Sequence, residues 1–372
     1  MHGLRWAISV FAVSLAVACA SGAPSASAPA PPSAAPAATA ANPSPAPATS
    51  TAQRTPLQPP VTVRLGDVPT VANAGIYVAH ARGYFQEEGI EVHFEKFDTG
   101  ERTIPALATG QVDVGAGGVS AGMFSAIARG LQLKIVAGMT QSQPGFASSA
   151  FVVRKDLVDS GRVRDFADLR GLRIATPSLT SALGPYFYRI LDRGGLTEAD
   201  VETSLLAFPD MVVALGNGVI DAALMTEPFV AYARQTGAGE RWKGADELYP
   251  NHQITVMLYS PEFPQRAPEA AVRWLVAYLR GARDYYREVL HGSGDKTAMY
   301  RILAEYTPIK DLAIYPAMVP TGLEPNGGLN MASLEGDQAL WVAQGHIPQR
   351  ADLESAVDLQ YLQAARRLLD GQ

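Results

Sequence analysis

Two stretches of the chain repeat one pattern of apolar and polar positions. "ALATGQVDVGAG" begins at Ala106 and "ALGNGVIDAALM" begins at Ala214. Each reads Ala-Leu, two residues, Gly, two residues, Asp, and then small or apolar residues. The pattern predicts a helix closed by a glycine, Gly110 or Gly218, followed by a short buried strand. Upstream, each unit carries a helical stretch, a glycine and an extended segment, "RGYFQEEGIEVHFEKF" before the first and "YRILDRGGLTEADVETSLLAF" before the second. Both therefore predict a β-α-β-α-β unit, and the chain is expected to be an α/β protein with two lobes, each a mostly parallel sheet flanked by helices.

Two extended apolar runs bracket the second unit: "SSAFVVRKD" at 148–156 and "HQITVMLYS" at 252–260. They are expected to carry the chain between the lobes, which gives a first lobe over 61–155 and a second over 156–251. Residues 252–372 then return to the first lobe, where "APEAAVRWLVAYLRGARDYYREVL" and "DLESAVDLQYLQAARRLLDG" have helical periodicity. Ligands of open α/β sheets bind beyond the carboxyl ends of the strands. The repeats place "GAGGVS" and "LMTEPF" at equivalent rims, so the expected ligand site is the cleft between the lobes.

The ends of the chain set its compartment. A short basic start precedes an apolar run, Trp6 to Ala18, too brief to span a bilayer, which predicts a signal peptide over 1–18. It runs into "SLAVAC", which resembles a bacterial lipobox and makes Cys19 the expected site of lipidation. Residues 19–60 are otherwise almost wholly Ala, Pro, Ser and Thr, a composition that cannot offset the entropy of folding and reads as a linker. In extended form at ~3 Å per residue it would hold a domain roughly 100 Å from its anchor. The expected location is the extracytoplasmic face of the cell membrane, through a lipid anchor. A single cysteine excludes internal disulfides and Cys-cluster metal sites. The net charge of −6 gives no basis for nucleic-acid binding.

"VRLGDVPTVANAGIYVAHARGYFQEEGIEVHFEKF" is similar to the start of the ABC-transporter solute-binding proteins of the nitrate, sulfonate and thiamine-pyrimidine-precursor group. "DLRGLRIATPSLTSALGPYFYRIL" and "ALGNGVIDAALMTEPFVAYA" share that resemblance, which covers most of 61–372. It implies a type 2 periplasmic-binding fold, a monomer without cofactor or metal, which closes on a small solute and delivers it to permease and ATPase subunits. It also implies a cleft built from loops at 69–77, 97–102, 116–120, 176–181 and 225–228. Those loops and the helix after the fourth supply the candidate ligand-binding residues Asn73, Tyr77, Phe97, Gly118, Ser120, Ser178, Thr180, Ser181, Tyr186 and Glu227. For the hydroxyls, helix capping is an equal alternative, as it is for Glu227.

A nitrate or sulfonate site wants a fixed positive charge or several aimed donors. Arg102 is the only basic residue in these loops, and Arg189 lies a turn or two beyond one of them. Aromatic residues crowd the expected rim: Tyr77, Phe97, Phe124, Phe146, Tyr186, Phe187, Phe229 and Tyr259, of which half are expected to face away. The balance favours a neutral heteroaromatic solute held by stacking and a few directed hydrogen bonds. Riboflavin or a related flavin comes first, a thiamine pyrimidine precursor second, and nitrate, taurine or alkanesulfonates are the alternative.

The stretch "GVSAG" also matches the G-x-S-x-G elbow of serine hydrolases, with Ser120 as nucleophile and Asp337 and His346 following in order. No HGGG-like stretch precedes it to supply an oxyanion hole, and a hydrolase has no reason to repeat the helix-Gly-strand-Asp unit. "GAGGVS" likewise falls one glycine short of a dinucleotide fingerprint and lacks the acidic partner ~20 residues on. The expectation is a binding protein, not an enzyme.

Overall fold

The computed structural model describes residues 54–371. The expected signal peptide, Cys19 and most of the expected linker lie outside the described residues. The last part of that linker, residues 54–60, is packed against the first lobe. Arg54 pairs with the buried Glu88 at 2.6 Å, the Leu57 N–H donates to the Glu88 carbonyl at 3.4 Å, and Leu57 lies on the apolar core. Charge and one apolar side chain hold a segment whose overall composition reads as linker.

The strands are β1 (Val61–Asp67), β2 (Ile90–Lys96), β3 (Val114–Gly118), β4 (Lys134–Gln141), β5 (Ser149–Arg154), β6 (Arg173–Thr176), β7 (Glu202–Leu205), β8 (Ala222–Thr226), β9 (Gly239–Gly244), β10 (Gln253–Tyr259) and β11 (Gly322–Leu323). They form a six-stranded sheet in the order β11-β4-β10-β3-β1-β2 and a five-stranded sheet in the order β7-β6-β8-β5-β9. The two-lobed α/β fold is present. Both sheets are mixed, however, because the strands entering from the opposite lobe arrive in the reverse direction. β1 pairs in parallel with β2 and β3, whereas β10 is antiparallel to β3 and β4. In the second sheet β6 is parallel to β7 and β8, and β5 is antiparallel to β8 and β9. All positions of β10 are buried, as expected of a strand covered on both faces.

β5 already belongs to the second sheet, so the first crossing falls at 142–148, before the expected boundary at 155. The two crossings are hydrogen-bonded to each other: the Ser142 N–H donates to His252 O at 2.9 Å and the Asn251 N–H to Ser142 O at 2.8 Å. Around this hinge His252 is fully buried. Its Nε2 lies 2.7 Å from Asp337 and its Nδ1 2.6 Å from the Tyr186 hydroxyl, which is 2.5 Å from Ser142 Oγ. Among the described residues no helix is long and apolar enough to cross a membrane.

The repeated pattern folds the same way in both lobes. Gly110 and Gly218 take left-handed backbones, with φ of 68° and 67°, and end their helices. Three residues later a carboxylate turns back to the neighbouring strand. Asp113 accepts from the Arg64 N–H at 2.9 Å and the Arg64 Nε at 3.1 Å, and its other oxygen accepts from Arg266 at 2.9 Å. Asp221 accepts from the Arg173 N–H at 3.0 Å and the Arg173 Nε at 2.9 Å, and its other oxygen accepts from Arg154 at 2.7 Å. These carboxylates fix β3 against β1 and β8 against β6. The Asp113 side chain is 2% exposed, and a buried acceptor network of this kind is costly to break. Asp113→Asn and Asp221→Asn should each lower the unfolding free energy by about 2 kcal/mol. Urea unfolding measures this, and a loss below about 0.5 kcal/mol would show that the clamps are dispensable.

Candidate functional site

With β3 and β8 fixed, the carboxyl ends of the central strands of both sheets open onto one cleft. It encloses about 620 Å³ of space, part of it open to solvent. After β1 it is lined by Val68, Thr70 and Asn73, after β2 by Asp98 to Glu101, and at β3 by Gly117, Gly118 and Ser120. The second lobe contributes Pro177, Ser181 and Ala182 after β6, Phe208, and the Ser149–Thr226 pair, whose hydroxyls meet at 3.2 Å. Ile254 and Thr255 of β10 form the floor near the hinge.

Asn73 sits in the wall as a buried polar group. Its amide N–H donates to Asp67 at 2.7 Å and to the Val68 carbonyl at 3.2 Å, while its Oδ1 is buried with no partner. An orphaned acceptor costs free energy unless something donates to it. Behind it Asp67 also takes the Tyr77 hydroxyl at 2.8 Å. Burial pushes the Asp67 carboxyl above its ordinary range, against the lowering effect of those two hydrogen bonds. Tyr77 itself is stacked on Tyr306 with ring centroids 4.7 Å apart, so it supports the wall from the core and does not line the cleft.

Ser120 is 1% exposed and caps the Ala121–Ala128 helix, its Oγ accepting from the Met123 N–H at 3.2 Å. Gly118 faces Ala182 across the cleft, and Ser181 also lines it while its hydroxyl donates to Ser178 O at 2.8 Å. Ser178 and Thr180 do not line the cavity. They reach over to the first lobe, donating to Glu101 at 3.2 Å and 2.7 Å, and Thr180 O accepts from the Ala121 N–H at 2.9 Å. Phe97 packs half-buried on the first lobe's core and Tyr186 is taken up by the hinge array, both away from the lining. Glu227 is 1% exposed. It accepts from the Ala231 N–H at 2.9 Å, inside the Phe229–Gln235 helix, and from the Val319 N–H at 3.1 Å.

None of the eight rings expected at the rim lines the cleft; among the described residues the one aromatic that does is Phe208, which the sequence reading passed over. Most of the expected rings sit at core-facing positions, and Phe124, Phe187 and Tyr259 are fully buried. Charge follows a simpler rule. Among the described residues no Lys or Arg lines the cleft, and Asp98 and Glu101 do. Arg102 is 71% exposed and turns to Asp98 at 3.7 Å, and Arg189 lies over the Tyr249 ring at 3.6 Å. Asp98 and Glu101 were not singled out from "FDTGERT"; the signal available was a glycine between two acidic residues just past a strand end, in a loop already assigned to the rim.

Gly100 in that loop rests on β3: a Cβ built there would lie 2.3 Å from Gly118 N, and one on Gly117 would lie 2.9 Å from the Gly100 Cα. The hydrolase order finds no shared site. Ser120 is a helix cap, Asp337 holds His252, and His346 Nε2 lies 2.5 Å from the Tyr188 hydroxyl. Among the described residues no cluster of His, Cys, Asp or Glu could hold a metal ion.

Residues 57–290 match the model of the NMT1-like family. The chain belongs to that family. The chain is also similar to two curated proteins. The riboflavin-binding protein RibY of Chloroflexus aurantiacus is 30% identical over 231 residues, 60% of this chain and 62% of its own length. The taurine-binding periplasmic protein of Escherichia coli is 32% identical over 161 residues, 43% of this chain and 47% of its own length. Across the curated relatives it matches, this chain covers between 34% and 62% of their lengths. In structure, the alkanesulfonate-binding protein SsuA of Xanthomonas axonopodis pv. citri, bound to MOPS, superposes with a TM-score of 0.64 at 19% identity. That match covers 80% of this chain and 98% of the other, and it shows the shared fold.

Within this family member, Glu227 is the buried carboxyl with the clearest pH signature, because burial raises it from 4.5 to about 7. The native state therefore holds the proton more tightly than the unfolded chain does. The stabilising contribution is fully present below pH 4.5 and is lost as the pH rises through about 7. Urea unfolding across that range should show wild type losing up to ~3 kcal/mol relative to Glu227→Gln. A pH-independent difference between the two proteins would count against it.

Proposed function

We propose that this protein is the solute-binding component of an ABC importer, working on the extracytoplasmic face and passing its solute to permease and ATPase subunits. The solute is an uncharged or cationic small molecule rich in N–H or O–H donors. Riboflavin or a related flavin is the leading candidate and an aminopyrimidine the next. One observation carries this reading: the cleft wall offers acceptors and negative charge and no cation. Buried nitrate or sulfonate would need compensation that this lining does not provide, whereas a flavin ring N–H or ribityl hydroxyl supplies the donor that Asn73 Oδ1 lacks.

Thr70, Ser149, Thr226 and Thr255 add hydroxyls that donate or accept, and Phe208 offers one ring face for stacking. Among the relatives, RibY, named for riboflavin binding, supports the reading, while the taurine-binding protein is named for the alternative that the cleft charge disfavours. The proposed delivery role also follows the two-lobed architecture, in which a solute is enclosed where the lobes meet.

A thermal-shift panel of riboflavin, a hydroxymethyl-aminopyrimidine, taurine, ethanesulfonate and nitrate tests the reading. Riboflavin at a hundredfold excess over its Kd should stabilise the protein by about 3 kcal/mol through mass action, and the anions should leave the melting temperature unchanged. A shift with nitrate or ethanesulfonate while riboflavin and the pyrimidine stay silent refutes it.

A further inference from the structure

The loop after β2 places one carboxylate where it touches both lobes. Glu101 is half-buried, lines the cleft from the first lobe, and accepts hydroxyls from the second: Thr180 on one oxygen at 2.7 Å and Ser178 on the other at 3.2 Å. Ser178 Oγ also lies 2.8 Å from Thr180 Oγ1 and accepts from the Thr180 N–H at 3.1 Å, so the two donors form one preset unit. The Ala121 N–H reaches the same unit from the first lobe through Thr180 O. These contacts join the two lobes beside the cleft.

Hydroxyl donors satisfy Glu101 without neutralising it. A carboxylate has about four lone-pair sites, and the two hydroxyls use part of that capacity. Among the described residues no Lys, Arg or His is ion-paired with Glu101; its neighbour Arg102 turns outward to Asp98. An uncompensated negative charge thus stands between low-dielectric walls, where its field is screened less than on an open surface. An entering anion meets repulsion there, and an N–H or cationic donor meets spare acceptor capacity.

We propose that Glu101 is a specificity-determining residue: its charge excludes anionic solutes from the cleft, and its hydrogen bonds to Ser178 and Thr180 latch the lobes together. The exclusion half rests on the reading of the cleft given under Proposed function; the latch half does not. The two halves separate by mutation. Glu101→Gln removes the charge and keeps the shape. The double variant Ser178→Ala with Thr180→Val removes the donors and keeps the charge.

Calorimetric titration with ethanesulfonate and with riboflavin reads specificity, small-angle scattering reads lobe separation, and circular dichroism confirms that each variant is folded. Glu101→Gln should gain at least about tenfold in ethanesulfonate affinity over wild type. The double variant should show an increased radius of gyration and continue to exclude ethanesulfonate. Unchanged or weaker ethanesulfonate binding by Glu101→Gln overturns the exclusion, and a scattering curve identical to wild type for the double variant overturns the latch. Wild-type protein that binds ethanesulfonate and ignores riboflavin refutes the proposed solute class and the exclusion with it, while the scattering result still decides the latch. If wild type binds neither probe, the gain by Glu101→Gln and the scattering comparison decide both halves.

Discussion

Each lobe depends on a buried carboxylate that reads a backbone N–H and a guanidinium from the adjoining strand. Asp113 does this for β1 and β3, and Asp221 does it for β6 and β8. The second oxygen of each takes a further arginine from elsewhere in the lobe, Arg266 or Arg154. Because the carboxylates sit at the start of β3 and just before β8, they set where those strands end, and the strand ends are the rims of the cleft. Loop chemistry is free to vary on such a frame, since the loops are anchored at a fixed height.

At the hinge end of the first sheet, hydroxyls and amides bond across neighbouring strands and to the crossing. Thr140 and Thr255 meet at 2.6 Å, Ser148 and Thr321 at 3.1 Å, and Gln253 bonds to the carbonyls of Thr140 and Thr255. A hinge of this composition keeps its backbone groups paired while the chain crosses twice. The Tyr186–His252–Asp337 array anchors the crossing to the Gly184–Arg193 helix of the second lobe and to the Met331–Ala343 helix of the C-terminal part. The cleft wall continues the same style, with Asn73, Ser120 and Thr226 buried and mostly held by backbone or side-chain partners.

The architecture was legible in the sequence because it rests on periodic and punctuated features. The repeated Gly and Asp positions predicted two equivalent units, whereas the apolar runs expected to cross between the lobes are strands β5 and β10, each inside a sheet just past a crossing. Sheet direction was harder to read, since a buried strand carries the same residues whether it runs parallel or antiparallel. At the site, the rim loops were legible as loops, and the scarcity of cations was visible by inspection. Which rings faced the cleft was not: Tyr186 and Phe208 look alike in sequence, and tertiary packing sent one to the hinge and the other to the lining. Glu101 was missed because its role depends on hydroxyls more than seventy positions away, a contact that no local pattern announces.

The approach of Gly100 to Gly117 and Gly118 has a consequence for how such a cleft changes over generations. Two backbones touch there with no room for a side chain on either, so any substitution must push the loop outward and carry Glu101 with it. Neither Gly100 nor Gly117 can be exchanged alone without moving the acceptor, which makes the two a fixed point in the local mutational neighbourhood. Variation of the lining is then channelled to positions whose side chains already project from that frame, such as Asp98, Thr99 and Phe208. Change in the lining would fall on those side chains first and leave the glycines standing.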